Sequence, residues 1–316
     1  MKRNGLIIIL IGFLTITGCT KSPTEMRALN EALLKAVSIG DVSTVKSLLK
    51  KGAYANPQDS AGNTAVMVAA KAGNMEILEI LLDRNINLNA TNEKGQTALM
   101  LSAEIGYLDI IKKLIEKGAD IYPEDKLRNT ALHYAVARNH IPVVQFLIEK
   151  GMDVNIPNML GGTALFYAVD KGYNEMVNLL LEGGAAVNKK DHEGDTALMM
   201  AIEKGHLKIA QALLDKGANV NEKNNKYMTA LMIAAINGRA EMVRLLLEKG
   251  APVDTGRNDG WTALMLASEK GKADAVKALI AKRADVNVKI NFMTPLKLAY
   301  RYPEVVRILK EAGAKE

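Results

Sequence analysis

One cysteine in 316 residues, Cys19, cannot form an intramolecular disulfide, and there is no second cysteine to help it hold a metal. Histidine is scarce too. His133, His140, His192 and His206 are far apart, and no His-Glu-x-x-His, Gly-x-Ser-x-Gly or phosphate-cradling loop accompanies them. Aromatics make up 4% of the chain against 48% for all hydrophobic residues, so the core must be built from small and branched aliphatics. Such side chains suit helices packed about 8 to 10 Å apart. Long apolar runs are missing except near the start, where roughly 11 residues from Leu6 to Ile16 fall short of the ~20 that cross a membrane as a helix. Charge of one sign is not in large excess: 41 Lys and Arg against 35 Asp and Glu give +6, with the two signs interleaved as in Lys112, Lys113, Glu116 and Lys117. Without a clustered basic stripe, nucleic acid is not an expected partner. Without a catalytic or cofactor motif, neither an enzyme nor a small-molecule substrate is expected, and no cofactor or metal.

The first nineteen residues are laid out as an export signal: Lys2 and Arg3, the apolar run, then Thr17-Gly18-Cys19. The ending Leu14-Thr15-Ile16-Thr17-Gly18-Cys19 resembles the lipobox of bacterial lipoproteins. That resemblance implies a signal peptide over 1–18, acylation of Cys19 (palmitate among the chains), and a membrane anchor followed by a short polar tether over 19–28. Loss of Lys2 and Arg3 would leave 39 basic residues against 35 acidic, or +4. Thr20, rather than Asp, follows the cysteine, which in such lipoproteins implies the outer membrane, facing the periplasm.

What dominates the rest is a comb. Thr64, Thr97, Thr130, Thr163, Thr196, Thr229 and Thr262 stand 33 residues apart, each followed by Ala. Gly52, Asn85, Gly118, Gly151, Gly184, Gly217, Gly250 and Arg283 repeat in phase with them. A fixed period of this size marks a tandem array whose copies bury their apolar faces on one another. Each Thr is placed to cap a helix. Nine residues on stands Gly or Asn (Gly73, Gly106, Asn139, Gly172, Gly205, Gly238, Gly271), as a left-handed helix terminus requires. A second helix follows with apolar residues at helical spacing, such as Ile77, Leu78, Leu81 and Leu82.

The period, Thr130-Ala131-Leu132-His133-Tyr134-Ala135 and Thr294-Pro295-Leu296 together resemble the ankyrin repeat. The resemblance implies an all-α ankyrin-repeat solenoid of about nine units: an N-cap unit over 29–56, seven full repeats over 57–288 and a C-cap unit over 289–316. The signature His is replaced by Met67, Met100, Met199, Met232 and Met265, by Phe166 and by Lys297. This predicts apolar packing in place of a side-chain hydrogen bond. Thr294 comes 32 residues after Thr262, which marks the closing unit.

In ankyrin repeats the hairpin tips and the exposed side of helix one meet protein partners, so departures there are the candidate site residues. Late in the chain, Tyr227-Met228, Gly260-Trp261 and Phe292-Met293 place aromatics on three consecutive tips, expected to form one exposed strip. A smaller candidate combines Leu127, Arg128, Met159 and Leu160. Glu104, Asp170, Glu203 and Glu269, seven residues after their Thr, would give the groove a partly acidic floor. The expected function is that of a monomeric, membrane-anchored scaffold or adaptor for a protein partner. The alternatives are an inhibitor or immunity-type protein occluding a toxin or enzyme, and a surface-exposed, host-contacting lipoprotein.

Overall fold

The structure, a computed structural model, describes residues 21–315; the export signal and Cys19 lie outside them. Eighteen helices among the described residues form nine antiparallel pairs. In order they are α1 (Pro23–Ile39) with α2 (Val42–Lys50), α3 (Ala65–Ala72) with α4 (Met75–Leu82), α5 (Ala98–Ile105) with α6 (Leu108–Glu116), and α7 (Ala131–Ala137) with α8 (Ile141–Glu149). Then follow α9 (Ala164–Asp170) with α10 (Asn174–Glu182), α11 (Ala197–Lys204) with α12 (Leu207–Asp215), and α13 (Ala230–Ile236) with α14 (Ala240–Glu248). Last come α15 (Ala263–Glu269) with α16 (Ala273–Ala281), and α17 (Pro295–Leu298) with α18 (Pro303–Glu311). The described residues contain no strand beyond three isolated bridges, and no described helix is long and apolar enough to cross a membrane.

Helix length follows from the caps. Thr64, Thr97, Thr196, Thr229, Thr262 and Thr294 each accept a hydrogen bond on Oγ1 from the backbone N–H three residues on, at 3.2 to 3.4 Å. Gly73, Gly106, Asn139, Gly172, Gly205, Gly238 and Gly271 all adopt positive φ, as the sequence predicts. Asn85 is the exception in the other comb: Gly52, Gly118, Gly151, Gly184, Gly217, Gly250 and Arg283 are left-handed and Asn85 is not. There α4 ends a residue earlier than the nine-residue second helices of its neighbours.

One continuous core runs from Leu33 to Leu309. The odd-numbered helices bury alanine at repeating positions, for example Ala65, Ala69, Ala131, Ala135, Ala197 and Ala201, so their backbones pack closely along the array. The even-numbered helices bury larger side chains and sit further apart, which turns the odd row into the inner face. The five methionines at the signature position are at most 1% exposed, as predicted. Packing is not all they do. The Met67 and Met100 sulfurs accept from the Thr64 and Thr97 N–H groups at 3.4 and 3.5 Å, so the capping interaction is weakened rather than abandoned.

The inter-helix glycines also carry the stacking of units. A Cβ on Gly106 would lie 2.5 Å from the His140 ring of the next unit, whereas one on Gly118, equally left-handed, would meet nothing within 4 Å. Gly118→Ala should therefore cost about 1 kcal/mol, the backbone term alone. Gly106→Ala should cost about twice that in urea unfolding, because the ring must also move; equal losses would refute a stacking role.

One boundary differs from expectation. Helix α1 begins at Pro23, with Ser22 and Glu25 forming a reciprocal capping box, so residues 23–28 belong to the first unit and not to a tether. Helix α17 is a single turn of four residues, and Tyr302 packs over Gly271 to close the array.

Candidate interaction surface

The first six tips are five-residue turns, each built on its first side chain. Asp59, Asn92, Asp125, Asn158, Asp191 and Asn224 each accept on Oδ1 from the N–H groups two and four residues on. Such turns satisfy the loop backbone locally. Successive tips are then joined by one backbone bond each: Glu93 N–H to Ala61 O, Lys126 to Lys94, Met159 to Leu127, His192 to Leu160 and Asn225 to Glu193. Both devices stop at the same place. Arg257 and Ile290 occupy the stapling position in the last two tips, and among the described residues no backbone bond joins these tips to each other or to the one before. In the Arg257 tip the Asp259 carboxylate takes over, accepting from the Trp261 N–H at 3.2 Å and pairing with the Arg257 guanidinium.

The side chains on this frame fall into two groups. Leu127 and Leu160 occupy equivalent places on adjacent, bonded tips and are 60% and 73% exposed; Met159, 52% exposed, lies beside them. Arg128, at φ 60°, pairs with Glu124 at 2.9 Å. The aromatic strip expected later in the chain is not continuous. Tyr227 (49% exposed) and Phe292 (77% exposed) stand where other tips carry the turn glycine and have φ of 59° and 64°. Trp261 is one residue further along, half-buried against the core with Met228, and Met293 is half-buried at the matching place. Gly260 fills the outward position between Tyr227 and Phe292, so the outward row has a gap at its middle tip. Lys289 stands over the Phe292 ring at 5.5 Å and Arg257 over Trp261 at 5.9 Å.

Three of the four acids of the expected floor are paired. Glu104 pairs with Arg138 at 3.0 Å, Asp170 with Lys204 at 2.7 Å and Lys171 at 3.0 Å, and Glu269 with Lys270 at 3.4 Å. The Lys204 contact, chiefly, holds the Asp170 carboxyl below the usual range. Glu203, the fourth, is exposed and forms no ion pair with a described residue.

A polar network at the first four tips has no counterpart in the sequence reading. The Tyr134 hydroxyl donates to Asp125 at 2.6 Å and accepts from Gln96 Nε2 at 2.8 Å. The Tyr167 hydroxyl donates to Asn129 at 3.0 Å and accepts from Asn158 Nδ2 at 3.1 Å. Asn92 continues it to Asn63 at 2.9 Å. Burial and the Asp125 carboxylate push the Tyr134 hydroxyl up, so it stays a donor. A signal existed: Tyr134 and Tyr167 stand four residues after their Thr, where other copies have Val68, Leu101, Met200 or Ile233.

Beside these tyrosines His133 is buried, its ring edge-on to Tyr167 at 5.8 Å. The Thr130 N–H donates to Nδ1 at 3.1 Å, so the network assigns the ring proton to Nε2, which has no hydrogen-bond partner among the described residues. Among the described residues no group of His, Cys, Asp and Glu is arranged to hold a metal.

No curated protein matches the chain. A family model described as ankyrin repeats, in blocks of three copies, matches residues 33–125, 106–191, 171–257, 220–290 and 252–316, overlapping windows that span nearly everything described above. The chain belongs to the ankyrin-repeat family.

Proposed function

We propose that this is a lipid-anchored, extracytoplasmic module that binds a protein partner through its tips and inner face and carries out no reaction of its own. Ankyrin repeats generally act as non-enzymatic interaction scaffolds. The observation that carries the reading for this chain is the placement of exposed, non-glycine side chains at left-handed tip positions. Arg128, Tyr227 and Phe292 hold φ near 60° where Gly62, Gly95, Gly161, Gly194 and Gly260 serve the other tips. A side chain there costs about 1 kcal/mol of backbone strain and returns little packing when exposed. Exposed apolar groups at that cost fit partner contact, with Leu127, Met159 and Leu160 as a second site on the bonded tips.

Glycine substitution separates binding from folding. Tyr227→Gly with Phe292→Gly should leave the array as stable as before, or more stable by about 0.5 to 1 kcal/mol per site. A photo-crosslinker placed on a neighbouring exposed tip residue, Lys226, should then lose its envelope partner. Full crosslinking by the double variant would remove these tips from the interface.

The anchor rests on Cys19 and the apolar run before it, read from sequence. Cys19→Ser should abolish incorporation of a fatty-acid analogue and release the protein from the membrane fraction, while persistent labelling would refute acylation at this site.

A further inference from the structure

The first unit departs from the repeat in charge as well as length. At the end of helix two five of the copies carry a carboxylate followed by a cation, Asp83-Arg84, Glu116-Lys117, Glu149-Lys150, Asp215-Lys216 and Glu248-Lys249, while Glu182-Gly183 lacks the cation and Ala281-Lys282 the carboxylate. The carboxylates pair along the ridge, as in Lys117 with Asp83 at 3.4 Å and Lys249 with Asp215 at 2.7 Å. In the first unit the pair is Lys50-Lys51, and no carboxylate stands at that place. The Lys21 ammonium reaches the same pole and lies over Gly52, at the end of α2. Lys21, Lys50, Lys51 and Arg84 are exposed and make no ion pair with a described residue. Glu25, the acidic group beside Lys21, is occupied by the Ser22 N–H at 2.8 Å. Lys21, Lys50, Lys51 and Arg84 thus stand beside only Glu25 and Asp83, and Asp83 is already paired with Lys117.

This pole is where the chain enters. Because α1 starts at Pro23, Thr20, Lys21 and Ser22 alone separate it from Cys19, a reach of at most about 10 Å. That matches the distance over which exposed charges act at about 0.1 M salt.

We propose that the Lys21, Lys50, Lys51 and Arg84 face of the first unit docks on the anionic phosphate headgroups of the bilayer that holds Cys19, so that the array leaves the membrane at a fixed angle. The proposal rests on the lipid-anchor reading. Phosphate groups are the matching chemistry, and each cation near an anionic bilayer contributes about a fivefold gain in affinity. Docking turns a short leash into an orientation and presents the tips at a set height.

The test uses the acylated full-length protein reconstituted in vesicles of phosphatidylcholine alone or mixed with phosphatidylglycerol. A dye on Ser47→Cys, one turn before Lys50 and Lys51 on an exposed side of α2, reports contact through quenching by acrylamide; a dye on Lys208→Cys in α12 is the control. The expected result is that position 47 is shielded on phosphatidylglycerol vesicles, exposed on phosphatidylcholine and exposed again in high salt, with position 208 accessible throughout. Lys21→Glu with Lys50→Glu and Lys51→Glu should shift the docked-to-free ratio by about a hundredfold or more and abolish the shielding. Shielding that ignores lipid charge, or survives the triple variant, overturns the proposal while leaving the anchor intact. Protein that fails to stay with any vesicle, with no acyl mass on Cys19, sinks the anchor reading instead.

Discussion

Replacing His133 with methionine should make the array markedly less sensitive to acid. Burial, opposed only in part by the Asp125 charge, the nearby Ile156 carbonyl and Glu124, lowers the His133 pKa from 6.5 to about 4. The folded ring is therefore neutral where the unfolded ring has already taken up a proton. Above about pH 6.5 both states are neutral and the site carries no penalty. As pH falls from 6.5 to 4 the unfolded state is favoured progressively, by about 3 kcal/mol in all, and below 4 the difference stops growing. Methionine already fills this position in five copies with at most 1% exposure, so the variant has a built-in template. Urea unfolding between pH 7 and pH 4 should show the native protein losing about 3 kcal/mol more than His133→Met. Parallel curves for the two would refute a buried neutral imidazole.

The second large effect is expected at Asp125. Its carboxylate accepts from the Asn129 and Leu127 N–H groups at 2.7 and 2.8 Å, from Tyr134 Oη at 2.6 Å and from Asn129 Nδ2 at 3.3 Å, and it is 8% exposed. Asp125→Ala leaves two turn N–H groups and a half-buried phenol without their acceptor, at a cost of about 3 kcal/mol. Asp125→Asn keeps Oδ1 for the turn, as Asn92, Asn158 and Asn224 do in their tips, and should cost under about 1 kcal/mol. Hydrogen exchange at Leu127, Arg128 and Asn129 should rise in the alanine variant alone. Equal stability for Ala and Asn would show that the side-chain staple at this tip contributes little to the array.

Much of the fold was legible because it is periodic and local. A Thr that caps and a Gly that must turn left-handed act within a few residues of their own position, so their spacing alone placed most of the helices. The buried row of methionines could be read the same way. The first helix could not, since nothing periodic announces Pro23 as its start; the Ser22 and Glu25 box is a single local signal without a repeat behind it. Tyr227, Trp261 and Phe292 stood out by composition, yet their assignment to one strip failed. One residue of offset sends Trp261 toward the core while Tyr227 and Phe292 stay outside.

The sequence by itself determined the repeat, its caps, its core and the family, because each copy states the same short-range physics again and noise in one is corrected by the others. The tertiary structure decided what lies between copies. It joined the first six tips and left the last two unjoined, turned three of a row of four acids into ion pairs, linked Tyr134 and Tyr167 through Asp125 and Asn129, and set Lys21 beside the end of α2. Those contacts join residues on different helices and units, where spacing gives no direction to a side chain. Only packing fixes which of them meet.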